Sequence, residues 1–113
     1  MKYRALSDFE VNYPRPLNVS KGETLALGKR DTVWDGWIWV TNGEGTSAWM
    51  HESLLDPRDV HSAVASRDFS AAEISVKKGE TVESLEMLGG WHWCRKPTGE
   101  CGWIPDYTLE KEP

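Results

Sequence analysis

The chain has 113 residues and a net charge of −5, carried by 13 basic and 18 acidic side chains. The charge is spread evenly, with six basic and eight acidic residues over 1–57 and seven and ten over 58–113. No basic stripe offers itself to a nucleic acid, and no apolar run reaches membrane-spanning length. The opening Met1–Glu10 has no apolar h-region of a secretory signal, so a cytoplasmic location is expected, with neither nucleic acid nor membrane as partner.

In chain order, Ala5–Phe9 mixes apolar and polar residues and predicts the start of a strand. Glu10–Pro16 contains Pro14 and Pro16, which exclude a helix and a central strand, and reads as a long loop. Leu17–Val19 alternates into the turn Ser20-Lys21-Gly22-Glu23, and Thr24–Leu27 predicts a further strand. Trp37–Thr41 has the aromatic and β-branched composition of a half-buried strand. Asn42-Gly43-Glu44-Gly45 is a hairpin turn signal, Ser47–Met50 the return strand, and His51–Leu55 a closing turn and strand. The polar stretch 56–61 with Pro57 reads as a short linker.

The same order then recurs. Ala65–Phe69 repeats Ala5–Phe9, Ile74–Thr81 repeats Leu17–Thr24, Gly90–Cys94 repeats Gly36–Val40, and Gly99–Leu109 repeats Gly45–Leu55. Two copies predict two domains, 1–55 and 62–113, each near the lower size limit for a self-sufficient core and therefore dependent on large aromatics. Seven Trp meet that need. Short strands with glycine-marked turns and no amphipathic helical stretch predict an all-β fold of small barrels or sandwiches.

Alternation puts Trp37 and Trp39 on one side of their strand and Val40 on the other, with Trp49 joining the Trp face and Met50 opposite it, and the other copy repeats this with Trp91, Trp93 and Trp103 against Cys94 and Ile104. Such a face is either a flat contact surface or a place where the domains, or two copies of the chain, pack on each other. Cys94 and Cys101 occur in the second copy alone and read as free thiols; with His92 they match no standard zinc spacing. His51 and His61 lack a paired acid and nucleophile and read as solvated loop residues. Tyr13-Pro14-Arg15-Pro16-Leu17 is a stiff loop or itself a proline-rich ligand.

The openings Ala-Leu-x-Asp-Phe and Ala-Ser-x-Asp-Phe, Leu/Ile-x-Val-x-Lys-Gly-Glu, Gly-Trp and the closing Gly-x-x-x-Trp-Ile-Pro resemble the Src homology 3 (SH3) domain. The resemblance implies two consecutive five-stranded SH3-like barrels, no catalysis, no cofactor and no metal. It also implies a groove for proline-rich peptide or protein ligands in the polyproline II form. Carried over position by position, the groove falls on Phe69, Trp91, Trp103 and Pro105 in the second copy, and on Phe9, Trp37 and Trp49 in the first. The family's first aromatic is replaced by Ser7 and Arg67, its proline by His51 in the first copy, and its closing Tyr by Leu54 and Thr108, with Tyr107 one position away. Pro14-Arg15-Pro16 stands where the family places acids; the second copy keeps Glu73. Two alternatives stand beside this. Ala48–Leu55 is similar to the Gly-Trp-Val-His closing run of bacterial SH3-like cell-wall targeting modules, and the Trp faces would suit a structural or oligomerising pair.

Overall fold

A computed structural model describes residues 1–11 and 16–112. Tyr13, Pro14 and Arg15 of the proline-rich segment lie outside these described residues. The fold is all-β. In chain order the strands are β1 (Lys2–Ala5), β2 (Asn18–Val19), β3 (Thr24–Arg30), β4 (Trp37–Thr41), β5 (Ser47–His51) and β6 (Leu55–Asp59). There follow β7 (Ser62–Ala65), β8 (Phe69–Ser70), β9 (Thr81–Leu88), β10 (Trp91–Arg95), β11 (Cys101–Pro105) and β12 (Leu109–Lys111). Single 3-10 turns, Glu52–Leu54 and Asp106–Thr108, precede β6 and β12.

The strands form two small SH3-like barrels, but not as two consecutive halves of the chain. Unit 1 comprises Met1–Arg15 with Ala72–Pro113, and unit 2 is Pro16–Ala71. The sheet of unit 1 runs β11-β10-β9-β1-β12, and that of unit 2 runs β5-β4-β3-β7-β6 with the ribbon β2-β8 beside it. Each copy's opening strand therefore sits in the barrel built from the other copy's remainder. The compact units depart from the expected halves 1–55 and 62–113, and 56–61 is not a linker.

The reason lies at the expected linker. Leu55–Asp59 is a strand, Val60 and His61 make a two-residue turn, and β7 folds straight back on β6, pairing Leu55 with Ala65 and Asp59 with Ser62. The His61 N–H donates to the Asp59 carboxylate (2.8 Å) and holds its pKa below the ordinary carboxylate value. A chain that turns in two residues has no length left to carry β7 to another barrel, and closing so short a loop costs little entropy. Pro57 is tolerated because β6 is an edge strand. With β7 paired to β6 and β3, the place beside β9 and β12 falls to β1, which pairs Arg4 with Glu110 and Tyr3 with Val82.

The same bonds are drawn twice across the two copies. The Ala5 N–H donates to Glu80 O (2.8 Å) and the Ala65 N–H to Glu23 O (2.9 Å). The Asp8 carboxylate accepts from the Lys78 N–H (2.7 Å), and Asp68 accepts from the Lys21 N–H (2.8 Å). The Asp of each opening motif thus caps the Lys-Gly-Glu turn of the opposite copy, supplying an acceptor to turn amides that the strands leave unpaired.

The core of unit 1 is Ala5, Phe9, Ile74, Val76, Val82, Cys94, Ile104 and Leu109, with Tyr3 and Trp91 packed against it. In unit 2, Leu17, Val19, Leu25, Val40, Met50, Ala65 and Phe69 are buried at the matching positions. Val40, Met50, Cys94 and Ile104 point inward, as strand alternation requires. Cys94 and Cys101 are free thiols. Burial, with a smaller contribution from nearby Cys101, pushes the Cys94 thiol from 9.0 up to about 12. The unfolded thiol ionises near 9 and the buried one does not. Unit 1 is therefore expected to hold its stability below pH 9 and lose it as pH rises from there toward 12. At pH 8 a thiol reagent should label Cys101 in the folded chain and reach Cys94 on unfolding; equal labelling rates would contradict this packing.

Candidate functional site

The residues expected to line a groove are sorted differently from their order in sequence. Phe9 lies in unit 1, edge-on to Trp91, with ring centroids 5.9 Å apart and planes at 74°. Phe69 lies in unit 2 with Trp37. The expected grouping of Phe69 with Trp91, Trp103 and Pro105, and of Phe9 with Trp37 and Trp49, is thus exchanged. Each barrel takes its opening aromatic from one copy and its tryptophans from the other.

In unit 1 the Phe9 backbone is fixed by a reciprocal pair of hydrogen bonds with Val76, both 2.9 Å. Trp91 begins β10 and faces Pro105 directly across the ladder. Pro105 is fully buried and leads into the 3-10 turn, where Thr108 Oγ donates to Pro105 O (2.8 Å) and Tyr107 stands 66% exposed. Trp91 is half-buried. Thr108, at the family's closing Tyr position, is an internal strut rather than a surface group; Tyr107 beside it supplies the exposed aromatic.

A second strut lies beneath this edge. His92, 2% exposed, has Nε2 2.6 Å from Asp106 Oδ1 and Nδ1 2.7 Å from Ser84 Oγ, with the Tyr3 ring 4.7 Å away. A carboxylate only accepts, so Nε2 carries a proton toward Asp106. The Asp106 N–H in turn donates to Gly90 O (2.8 Å), next to Trp91. The buried ring ties β9 and β10 to the turn after Pro105. This role was not legible in the sequence, because the matching residue of the other copy is the apolar Ile38.

Unit 2 keeps the plan with different contents. The Glu52 N–H donates to Gly36 O (2.7 Å), as Asp106 does to Gly90 O. His51 replaces the proline. It is not a solvated loop residue: it ends β5, packs edge-on to Trp37 (centroids 5.3 Å, 83°), and its Nδ1 accepts from the Ser53 N–H (3.2 Å), capping the 3-10 turn. Gly36 makes room for it. Its φ is +85°, and a Cβ there would stand 2.5 Å from His51 Nε2. Trp37 is 5% exposed and so presents little surface to a ligand. His61 lies in the exposed β6–β7 turn.

The outer Trp faces are not flat open surfaces. Trp39 meets Trp49 across the strands with centroids 5.1 Å apart at 71°, and Trp93 meets Trp103 at 5.3 Å and 64°. Edge-to-face pairs of this kind satisfy the ring quadrupoles and cover each other's apolar area. Trp103 is 5% exposed, closed in part by the Glu73 segment, which bridges to it in parallel.

Among the described residues, no group of three or more His, Cys, Asp or Glu is arranged to hold a metal ion. Residues 2–52, one copy of the sequence, match the family model of the variant SH3 domain. The chain thus carries an SH3-type domain, of a kind that is generally non-catalytic and serves protein interaction.

Proposed function

We propose that the chain is a non-catalytic module that binds proline-rich protein segments, with unit 1 as its ligand-bearing barrel. The observation that carries this reading is the half-buried Trp91, edge-on to Phe9 and paired across the ladder with Pro105, in the same barrel as the exposed Tyr107. A polyproline II ligand presents rings on an already extended backbone, so it loses little conformational entropy on docking between aromatic walls. In unit 1 the Trp91 ring is half-buried, so part of it meets solvent while its edge-on contact with Phe9 holds it in place. Glu10 and Asp106 are exposed acids of the same unit and suit a basic residue flanking the prolines.

Unit 2 is the weaker candidate. Trp37 is covered and His51 fills the place of the proline. Trp49 and Trp103 act as packing partners of Trp39 and Trp93 rather than as ligand contacts.

The test is titration of the chain with proline-rich peptides carrying an Arg or Lys at either end, followed by backbone amide shifts. Shifts are expected at Phe9, Trp91 and Tyr107, and Trp91→Ala should weaken binding by about 10- to 100-fold, the loss of one aromatic hot spot of about 1.5–3 kcal/mol. Trp37→Ala should change affinity by less than threefold. Shifts confined to unit 2, or an affinity untouched by Trp91→Ala, would set this reading aside.

A further inference from the structure

We infer that the arm Met1–Val11 is an exchangeable element, and that the partner it can complete is unit 1 of a second copy of this chain. The arm is bonded to the segment that follows Ala72. β1 lies between β9 and β12, the Leu6 N–H donates to Thr108 O (2.7 Å), Phe9 bonds Val76 in both directions, Asp8 accepts from Lys78, and the Val11 N–H donates to Ser75 Oγ (3.1 Å). None of these depends on which molecule the arm belongs to.

The two opening strands differ in what holds them. β7 is tied to β6 by the turn Val60–His61 and fills its place from the immediately preceding strand. β1 reaches its place with the whole of unit 2 inserted between it and the rest of its barrel. Its slot is therefore filled through an effective concentration rather than a local turn, and a second copy competes when its own concentration approaches that value, on the order of mM. A dimer formed in this way rebuilds every bond above. It also makes the groove composite between molecules, since Phe9 of one copy stands against Trp91 of the other. The exchange itself does not rest on the proposed peptide ligand.

Arg4 and Glu110 are direct partners across β1 and β12 and form a half-exposed ion pair of 2.9 Å, so they report on the arm's place without disturbing the core. Full chains bearing R4C and E110C singly are mixed, unfolded, refolded together at about 1 mM and oxidised; the double variant R4C/E110C is treated at micromolar concentration. The double variant is expected to close an internal disulfide as a monomer. The mixture is expected to give a disulfide-linked dimer at least tenfold above either single variant alone, with native near-ultraviolet circular dichroism. A mixed yield no greater than the single-variant controls overturns the exchange between copies. Failure of the double variant to close internally overturns the placement of the arm on β12, and does so whether or not any peptide binds.

Discussion

Ala5→Asp is expected to unfold the barrel that contains Trp91 and to leave the barrel that contains Trp37 folded. Ala5 is 2% exposed and belongs to the core cluster of unit 1 together with Val82 and Leu109. A carboxylate placed there has no cation to pair with and costs several kcal/mol after relaxation. A unit of this size holds about 3–9 kcal/mol in total, from roughly 0.05–0.15 kcal/mol per residue, so one buried charge is enough to consume most of it. Ala65→Asp is the mirror experiment, since Ala65 is 1% exposed in unit 2. Amide spectra separate the outcomes through Gly36 and Gly45 of unit 2 and Gly90 and Gly99 of unit 1. Loss of Gly90 and Gly99 with Gly36 and Gly45 retained is the expected result for Ala5→Asp. The opposite pattern would mean that each copy folds on itself, and would contradict the exchanged barrels directly.

That experiment bears on what could and could not be read from the residues. The strands were legible because each is bounded by a turn with its own chemistry. Asn42, for instance, accepts from the Glu44 and Thr46 amides (3.0 and 2.9 Å) and sets the hairpin that joins β4 to β5. The partner of each opening strand was not legible. Ala5 to Phe9 and Ala65 to Phe69 offer the same hydrogen bonds to the same kind of turn, so local pattern is silent about which copy receives them. The deciding feature was the shortness of the segment between the copies. Read as a polar linker, 56–61 separates two domains; read as β6, a two-residue turn and β7, it forbids that separation.

The candidate site divides in the same way. Alternation correctly placed Trp37 and Trp39 on the face opposite Val40, but direction is not depth. Trp39 and Trp49 sit opposite each other in register, and two indoles on adjacent strands turn edge-to-face instead of lying open. His51 looked like a loop residue because nothing acidic is spaced to pair with it. Gly36, next to Trp37, was the available signal, since a glycine at positive φ opens space for a neighbouring ring. His92 stands two residues before Cys94 and so shares its core-facing side, but its partners were not legible, because Ser84 and Asp106 reach it from elsewhere in the fold.

Gly102→Ala is expected to lower the stability of unit 1 by about 1–3 kcal/mol, the cost of forcing an extra carbon into a packed core. A Cβ on Gly102 would stand 2.6 Å from Ile74 Cγ2 and 2.8 Å from both the Glu73 carbonyl carbon and the Ile74 nitrogen. A side-chain tip can rotate away, but two of these three atoms are backbone. The backbone at Glu73 and Ile74 cannot retreat without straining the Glu73–Trp103 bridge and the Trp103 N–H bond to Ala72 O (2.9 Å). The same position in unit 2 is Ala48, opposite Val40 as Gly102 is opposite Cys94, and there the methyl group is buried and accommodated. The comparison isolates the cause. Strand geometry at this point accepts a Cβ; the short loop that brings Glu73 against Trp103 does not. Thermal unfolding followed by near-ultraviolet circular dichroism should show a Tm lower by roughly 4–8 °C per kcal/mol lost in a domain of this size. The reverse change, Ala48→Gly, should cost unit 2 only about 1 kcal/mol, for lost burial and added backbone freedom. A Gly102→Ala chain as stable as the parent would show that the Glu73–Ile74 segment does not pack on β11 as described, and would reopen the outer face of Trp103 to ligand.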